Sequence, residues 1–395
     1  MQVLAANVAG HLEKASWIRK MFEAGREMKN KYGEENVQDF SLGNPDIPPP
    51  KGIGQGLKDL AEKAESPFVF GYMPNNGYPQ VRETLAAKLT QEQGVQVQGK
   101  DVIMTCGAAG GLNALFRTVL EPGEQVVCPA PYFVEYTFYA QNHNGELLPV
   151  PSKPLDFSLD LQGLEAAITD KTRIVLLNSP NNPTGQVYSA EELGSLAEIL
   201  DRKSKEQGRP IFLVSDEPYR FLTYDDVQVP SILPLYEYSL VVSSFSKSHS
   251  LAGERVGYLL LNPDMPKQNE LLDGLIFANR ILGFVNAPAI GQLLVQGALE
   301  EGVEVDIYKK RRDCMAEILN DAGYTFSLPK GGFYFFVQAP TGDDLQFVHK
   351  LQEEKILAVP GSGFGFPGYF RLSFCVGEDV IQRAREGFRR AIKAV

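Results

Sequence analysis

In the stretch SSFSKSHSLAGERVGY, residues 243 to 258, Lys247 stands among serines and a histidine, with Arg255 eight residues further on. SLVV precedes this cluster and GYLLL follows it, both runs of aliphatic and β-branched residues that read as buried strands. The cluster is therefore a polar loop held between two strands, and not simply a solvated face. The pattern recurs upstream: RIVLLN is followed by SPNNPTG, IFLVS by DEPYR, and VIMTC by GAAGGLNAL. The last is a small-residue turn into a helix, whose free backbone N–H groups suit an anion.

Taken singly, each motif has a structural explanation. PNNPTG is a turn in which Asn182 tolerates an unusual backbone angle, Asp216 a helix cap, Lys247 a surface lysine. Their joint placement changes the reading, because ligands of open parallel sheets bind outside the carboxyl ends of the strands. A lysine can take an aldehyde, a carboxylate can hold a pyridinium nitrogen, and a helix start with hydroxyls and a guanidinium can hold a phosphate. Pyridoxal 5'-phosphate has all three groups, and the lysine with an acidic partner is the signature of its enzymes.

The elements that must position these residues are legible. The expected strands are VIMTC (102 to 106), QVVCP (125 to 129), LLPVP (147 to 151), RIVLLN (173 to 178), IFLVS (211 to 215), LVVSS (240 to 244) and VGYLLL (256 to 261). Alternating with helical stretches, they imply a mostly parallel sheet covered on both faces. A helical pattern over roughly 288 to 322, ending at Gly323, precedes two further strands, FYFFVQ and FRLSFCV, and a closing helix. These form a smaller α+β lobe. At 395 residues two lobes are expected.

Composition narrows the classes. The hydrophobic content of 44% is that of a soluble globular chain, and a net charge of −11 argues against nonspecific nucleic-acid binding. Cys106, Cys128, Cys314 and Cys375 have no CxxC spacing and read as free thiols in a reducing cytosol, with no metal site. The N-terminal stretch lacks the apolar run of a signal peptide, and Leu12, Trp17, Ile18, Met21 and Phe22 suit one helix face. No later run approaches bilayer length, so a cytoplasmic location is expected. KGIGQGL (51 to 57) follows prolines instead of a strand and lacks the third glycine, which sets the dinucleotide reading aside. No GxxxxGK[ST] or GxSxG motif is present.

SPNNPTG, SDEPYR and SSFSKSHSLAGERVGY resemble the class I/II aminotransferases, the fold-type I pyridoxal-phosphate enzymes that include aspartate, alanine and aromatic aminotransferases. GNPD, GYMPNNGYPQVRETLA, PAPYFVEY and YFRLSF match further family segments in order, so the resemblance covers essentially the whole chain. It implies a fold-type I α/β architecture: a large cofactor domain at 45–285 with a mostly parallel seven-stranded sheet, and a smaller α+β domain from 1–44 and 286–395.

Residue roles follow from the resemblance. Lys247 matches the lysine that bonds the cofactor and later moves the substrate proton, and Asp216 the carboxylate that keeps the pyridine nitrogen protonated. Tyr219 and Asn182 match the pair bonded to the cofactor's phenolic oxygen. Ser244, Ser246 and Arg255 match phosphate ligands, with Gly107, Ala108 and Ala109 at the helix-start turn. Relatives often carry a hydroxyl in that turn. Here its absence throws the phosphate grip onto backbone, Arg255, Ser244 and Tyr72, the last matching a tyrosine that reaches the neighbouring subunit's phosphate and so implies a homodimer with shared sites.

Tyr132 matches the aromatic stacked on the pyridine ring, Arg371 the arginine that clamps the substrate α-carboxylate, and Gly43 the backbone group beside it. The implied reaction moves the amino group of an L-amino acid to a 2-oxo acid, commonly 2-oxoglutarate, by a ping-pong route. Specificity is less determined. A lysine used by one branch of aspartate enzymes is missing at Ala109, and Arg280 is set near the place of the distal-carboxylate arginine that another branch takes from the neighbouring subunit, against the reading of a solvated helix arginine. A carbon–sulfur β-lyase uses nearly the same constellation. A ligand-sensing domain of a transcription regulator stays the reading from another class, one that expects a basic DNA-binding extension.

Overall fold

The structure, a computed structural model, describes residues 3–394. A two-residue strand β1 (Gln38–Asp39) precedes the main sheet. That sheet is built from β2 (Val102–Cys106), β3 (Gln125–Ala130), β4 (Glu146–Pro151), β5 (Thr172–Asn178), β6 (Phe212–Asp216), β7 (Ser239–Ser244) and β8 (Val256–Leu261). The order is β2-β8-β7-β6-β5-β3-β4, with β8 antiparallel to both neighbours and all other pairings parallel. The seven strands expected from the sequence are these seven, within a residue at either end.

Both faces of the sheet are covered, which is why its strands are apolar without interruption. In β5, Val175 and Leu177 pack on one side while Ile174 and Leu176 pack on the other. The first layer includes helices Pro79–Gln93, Ala190–Gln207 and Ala289–Ala298; the second includes Gly107–Val119 and Gln268–Ile281. Helix Ala190–Gln207 shows the local code: Ser189 and Glu192 form a reciprocal capping box, and Gly208 closes the helix at φ 66°. The chain passes from β3 to β4 at one edge and fills the other side with β5, β6 and β7. That switch in direction opens a crevice at the carboxyl ends of the strands.

The C-terminal part carries a second core. Strands β9 (Tyr334–Gln338), β11 (Val359–Pro360) and β12 (Tyr369–Ser373) form an antiparallel sheet in the order β11-β12-β9, and β10 (Ile356–Leu357) pairs in parallel with β1. Helices Val305–Ala322 and Asp344–Glu353 cover it, with Phe335, Phe347, Phe370, Phe374 and Phe388 fully buried between. Arg371 sits mid-strand in β12, opposite Val359 and Phe336.

Two expectations are corrected. The helix read over 288 to 322 is two helices, Ala289–Ala298 and Val305–Ala322, because residues 299 to 304 around Gly302 leave the helical path. The first of these packs against helix Lys51–Glu62 and the main-sheet layer. The closing helix likewise divides into Glu378–Arg383 and Arg385–Lys393. The N-terminal helix spans Ala6–Tyr32 with Leu12 exposed, while the side chains of Trp17, Ile18, Met21 and Phe22 lie outside the described residues. Among the described residues, no helix is long and apolar enough to cross a membrane.

Candidate active site

The carboxyl ends of β2, β5, β6 and β7 deliver their loops to one cavity of about 380 Å³, closed from the other side by residues 41–43, Tyr334, Phe364 and Arg371. Lys247 lies in the short helix Phe245–Ser248 that follows β7. Its Nζ donates to Gly43 O at 2.6 Å. Burial lowers the Lys247 pKa, and the positive charges of Arg255 and Arg371 lower it further while Cys375 acts the other way. The amine is thereby biased toward its neutral, nucleophilic form.

Asp216 ends β6 and is buried. Tyr136 Oη donates to its Oδ2 at 2.5 Å, whereas Oδ1 has no hydrogen-bond partner among the described residues. Burial pushes the Asp216 carboxyl up to about 7, opposed by the Tyr136 bond and reinforced by Glu217. An unpartnered carboxylate oxygen at the floor of a cavity is a costly arrangement that a bound cation would relieve.

At the other end of the cavity, strand β8 lies against the turn of Gly107 and Ala108. A Cβ on Gly257 would stand 2.5 Å from Ser243 O and 2.6 Å from the Gly107 carbonyl carbon, so only glycine permits this approach. A Cβ on Gly107, whose φ is 68°, would meet the Arg255 guanidinium at 2.8 Å. The guanidinium, the amides of Ala108 and Ala109, and the hydroxyls of Ser244 and Ser246 thus border one small space on the cavity wall. That is the donor set of an anion cradle.

Arg371 is buried, with Nη1 donating to Asn182 Oδ1 at 3.0 Å and Nη2 to Ser41 O at 2.6 Å, while Nε has no partner among the described residues. Its guanidinium stacks on the rings of Tyr334 and Phe364, at 4.7 and 4.8 Å from their centroids. Tyr219 Oη and Tyr334 Oη share a hydrogen bond of 3.0 Å. A Cβ on Gly43 would fall 1.9 Å from Tyr334 Oη, so any side chain there would displace that hydroxyl.

The structure brings together Gly43, Ala108, Ala109, Asn182, Asp216, Tyr219, Ser244, Ser246, Lys247, Arg255 and Arg371 around this cavity. Gly107 stands behind the wall, against the Arg255 guanidinium, and three residues fall elsewhere. Tyr132 does not line it: its hydroxyl bonds Thr137 Oγ1 at 3.1 Å and its ring packs against Gly365, while Phe133, the next aromatic, faces the cavity. Tyr72 is 95% exposed and borders a separate cleft with Phe70 and Phe284. Arg280 is exposed at the end of helix Gln268–Ile281, stacked on Phe277 at 5.5 Å. Sequence reasoning did not mark Phe133, Tyr136, Glu135 or Tyr334 as site residues. Tyr136 and Tyr334 carried no signal beyond being aromatic.

A mostly parallel sheet with a buried amine, a carboxylate with one open oxygen and the donor set of an anion cradle gathered at its strand ends is the site of an α/β enzyme. The model of the family aminotransferase class I and II matches residues 35–388, and the chain belongs to that family. It is 31% identical over 379 residues to a probable aspartate aminotransferase of Methanocaldococcus jannaschii, covering 94% of this chain and 95% of that protein. It is 32% identical over 373 residues to a probable aspartate/prephenate aminotransferase of Aquifex aeolicus, covering 91% of each. Among solved structures, an amino transferase from Eubacterium rectale superposes with a TM-score of 0.96 at 37% identity over 100% of this chain and 99% of that one. The aspartate aminotransferase from Thermus thermophilus with maleate superposes at 0.86 and 28% identity, covering 99% of this chain and 100% of that one. The enzyme is an aminotransferase with the expected fold-type I architecture.

Proposed function

We propose that the enzyme uses pyridoxal 5'-phosphate to move the amino group of an L-amino acid to a 2-oxo acid by a ping-pong route, with aspartate, alanine or an aromatic amino acid as the donor considered from the sequence. The observation that carries this reading is the lone Asp216 Oδ1 in the same cavity as the buried amine of Lys247. The residues fit the cofactor: Asp216 would pair with the pyridine nitrogen, Tyr219 and Asn182 with the phenolic oxygen, and Lys247 Nζ with the aldehyde carbon. Arg255, Ser244, Ser246 and the amides of Gly107, Ala108 and Ala109 would hold the phosphate, with Phe133 against the ring. When bound, the cofactor supplies an electron sink for the charge that develops at the substrate Cα.

The chain's own groups do the rest. Arg371 would clamp the α-carboxylate through a guanidinium already oriented by Asn182, Ser41, Tyr334 and Phe364. Lys247 Nζ, biased toward its neutral form by burial and two neighbouring guanidinium groups, would take the proton from the donor's Cα in one half-reaction and deliver one to the acceptor's Cα in the other. The aromatic walls would exclude bulk water from that transfer.

We further propose a cytoplasmic homodimer, with Tyr72 reaching the neighbouring subunit's phosphate. Four unpaired cysteines favour a reducing compartment. The proposed division is 45–285 against 1–44 with 286–395, although helix Ala289–Ala298 of the second part packs on the first. The test is an absorbance spectrum of purified protein with pyridoxal phosphate, followed by donor screening against 2-oxo acids. Amino transfer with a cofactor band supports the reading. A spectrum without a cofactor band overturns it, as does release of pyruvate and ammonia without amino transfer.

A further inference from the structure

The roles above leave one charged side chain on the cavity wall unused. Glu135 opens the helix Glu135–Gln141 and lines the cavity together with Arg371 and Tyr334. Its Oε2 is buried without a hydrogen-bond partner among the described residues. The carboxyl and the Arg371 guanidinium feel each other's charge, yet the Arg371 amino groups are engaged by Asn182 and Ser41. Burial raises the Glu135 pKa, which its own backbone N–H and Arg371 oppose. A buried acceptor left open in this way is costly, so a native chain that keeps one has a partner for it.

Cations on the same wall are already committed. Lys247 and Arg255 belong to the cofactor end, Arg371 would hold the α-carboxylate, and Arg280 does not line this chain's cavity. A second carboxylate on the substrate would face the Glu135 carboxylate, like charge against like. A distal N–H or O–H would instead complete the open oxygen.

We propose that Glu135 reads the distal end of the substrate side chain, selecting amino acids and 2-oxo acids that end in a hydrogen-bond donor (an amide, a hydroxyl or an ammonium) over those that end in a carboxylate. This deepens the aminotransferase reading and rests on Arg371 as the α-carboxylate clamp. It narrows the donors by removing aspartate, and it removes 2-oxoglutarate as the preferred acceptor. It also runs against the names carried by the relatives, which share about a third of their residues with this chain.

The test uses an isosteric pair. Calorimetric titration of the holoenzyme at about pH 8 with glutarate and with glutaramate compares a distal carboxylate with a distal amide at constant shape. The expected result is a Kd at least about tenfold lower for glutaramate, reversed or abolished in Glu135→Gln, with the kcat/KM ratio of glutamine to glutamate moving in parallel. Equal or tighter binding of glutarate by the wild-type enzyme overturns the proposal, as does a ratio untouched by Glu135→Gln. If amino transfer proceeds while glutarate is preferred, the proposal alone fails. Binding of neither ligand overturns it together with the Arg371 clamp.

Discussion

Tyr136 Oη donates to Asp216 Oδ2 at 2.5 Å, and the other oxygen of the same carboxylate is left open to the cavity. One hydroxyl thereby fixes the orientation of the acid and reserves one acceptor for whatever enters.

The reserved acceptor makes the cofactor-free protein sensitive to pH. The folded-state pKa of Asp216, pushed up to about 7, lies above the ordinary aspartate value near 4. The folded chain then binds more protons than the unfolded chain between these values, so this group's contribution to stability falls as pH rises through that window. Cofactor-free Asp216→Asn should melt at a higher temperature than cofactor-free wild type at pH 8, and the difference should close by about pH 4. Cofactor should raise the melting temperature of wild type more than that of the variant. Thermal melts across pH check both.

Removing the hydroxyl should cost the acid its remaining partner. Tyr136→Phe leaves both oxygens of a buried carboxylate unpaired, and a bond to a charged group contributes about 1.5–3 kcal/mol. Cofactor affinity, followed by equilibrium dialysis, should drop roughly ten- to hundredfold.

Arg371 predicts a split between chemistry and specificity. Arg371→Lys replaces a planar fork with a point charge and leaves Asn182 Oδ1 and Ser41 O without their donor. Steady-state kinetics should show kcat/KM lowered about a hundredfold for every amino donor alike. A loss confined to one donor class would assign Arg371 to the side chain instead of the α-carboxylate.

Two glycines should resist substitution for different reasons. Gly257→Ala drives a methyl into backbone at 2.5 and 2.6 Å, neither of which can yield, so melting temperature should fall with a loss of about 1–3 kcal/mol. Gly43→Ala meets the Tyr334 hydroxyl, a side chain that can swing away. It should fold, lose the Tyr219–Tyr334 contact, and lower kcat/KM by about tenfold.

Exposed aromatic side chains predict association. Phe68 is 91% exposed and Tyr72 95% exposed, with Phe70 and Phe277 about half exposed. Phe70 and Tyr72 border one cleft, and large apolar side chains left open beside each other mark an interaction site. Sedimentation should give twice the chain mass, and Tyr72→Phe should weaken cofactor retention without dissociating the pair.

The strand ends were legible in the sequence because buried strands of a parallel sheet are uninterrupted apolar runs, and the polar loops after them stand out. Lys247, Asp216, Asn182 and Arg255 stand out in that way, and the structure gathers them at one cavity. Tyr132 and Phe133 were confused because neighbouring aromatics in an irregular segment have no period that tells which one turns inward. Glu135 went unmarked since an acid at a helix start is ordinarily a favourable dipole partner. Its open oxygen exists only in three dimensions. The break around Gly302 was missed because its flanks continue an apolar periodicity on either side, and a single glycine is tolerated inside many helices.

The central claim is that Lys247 is the residue that holds the cofactor, and it can be read directly. Borohydride reduction of the pyridoxal-phosphate-loaded enzyme, followed by proteolysis and mass spectrometry, should place the pyridoxyl adduct on the peptide containing Lys247, and Lys247→Ala should carry none. An adduct on a different lysine, or full amino transfer by Lys247→Ala, would contradict the account.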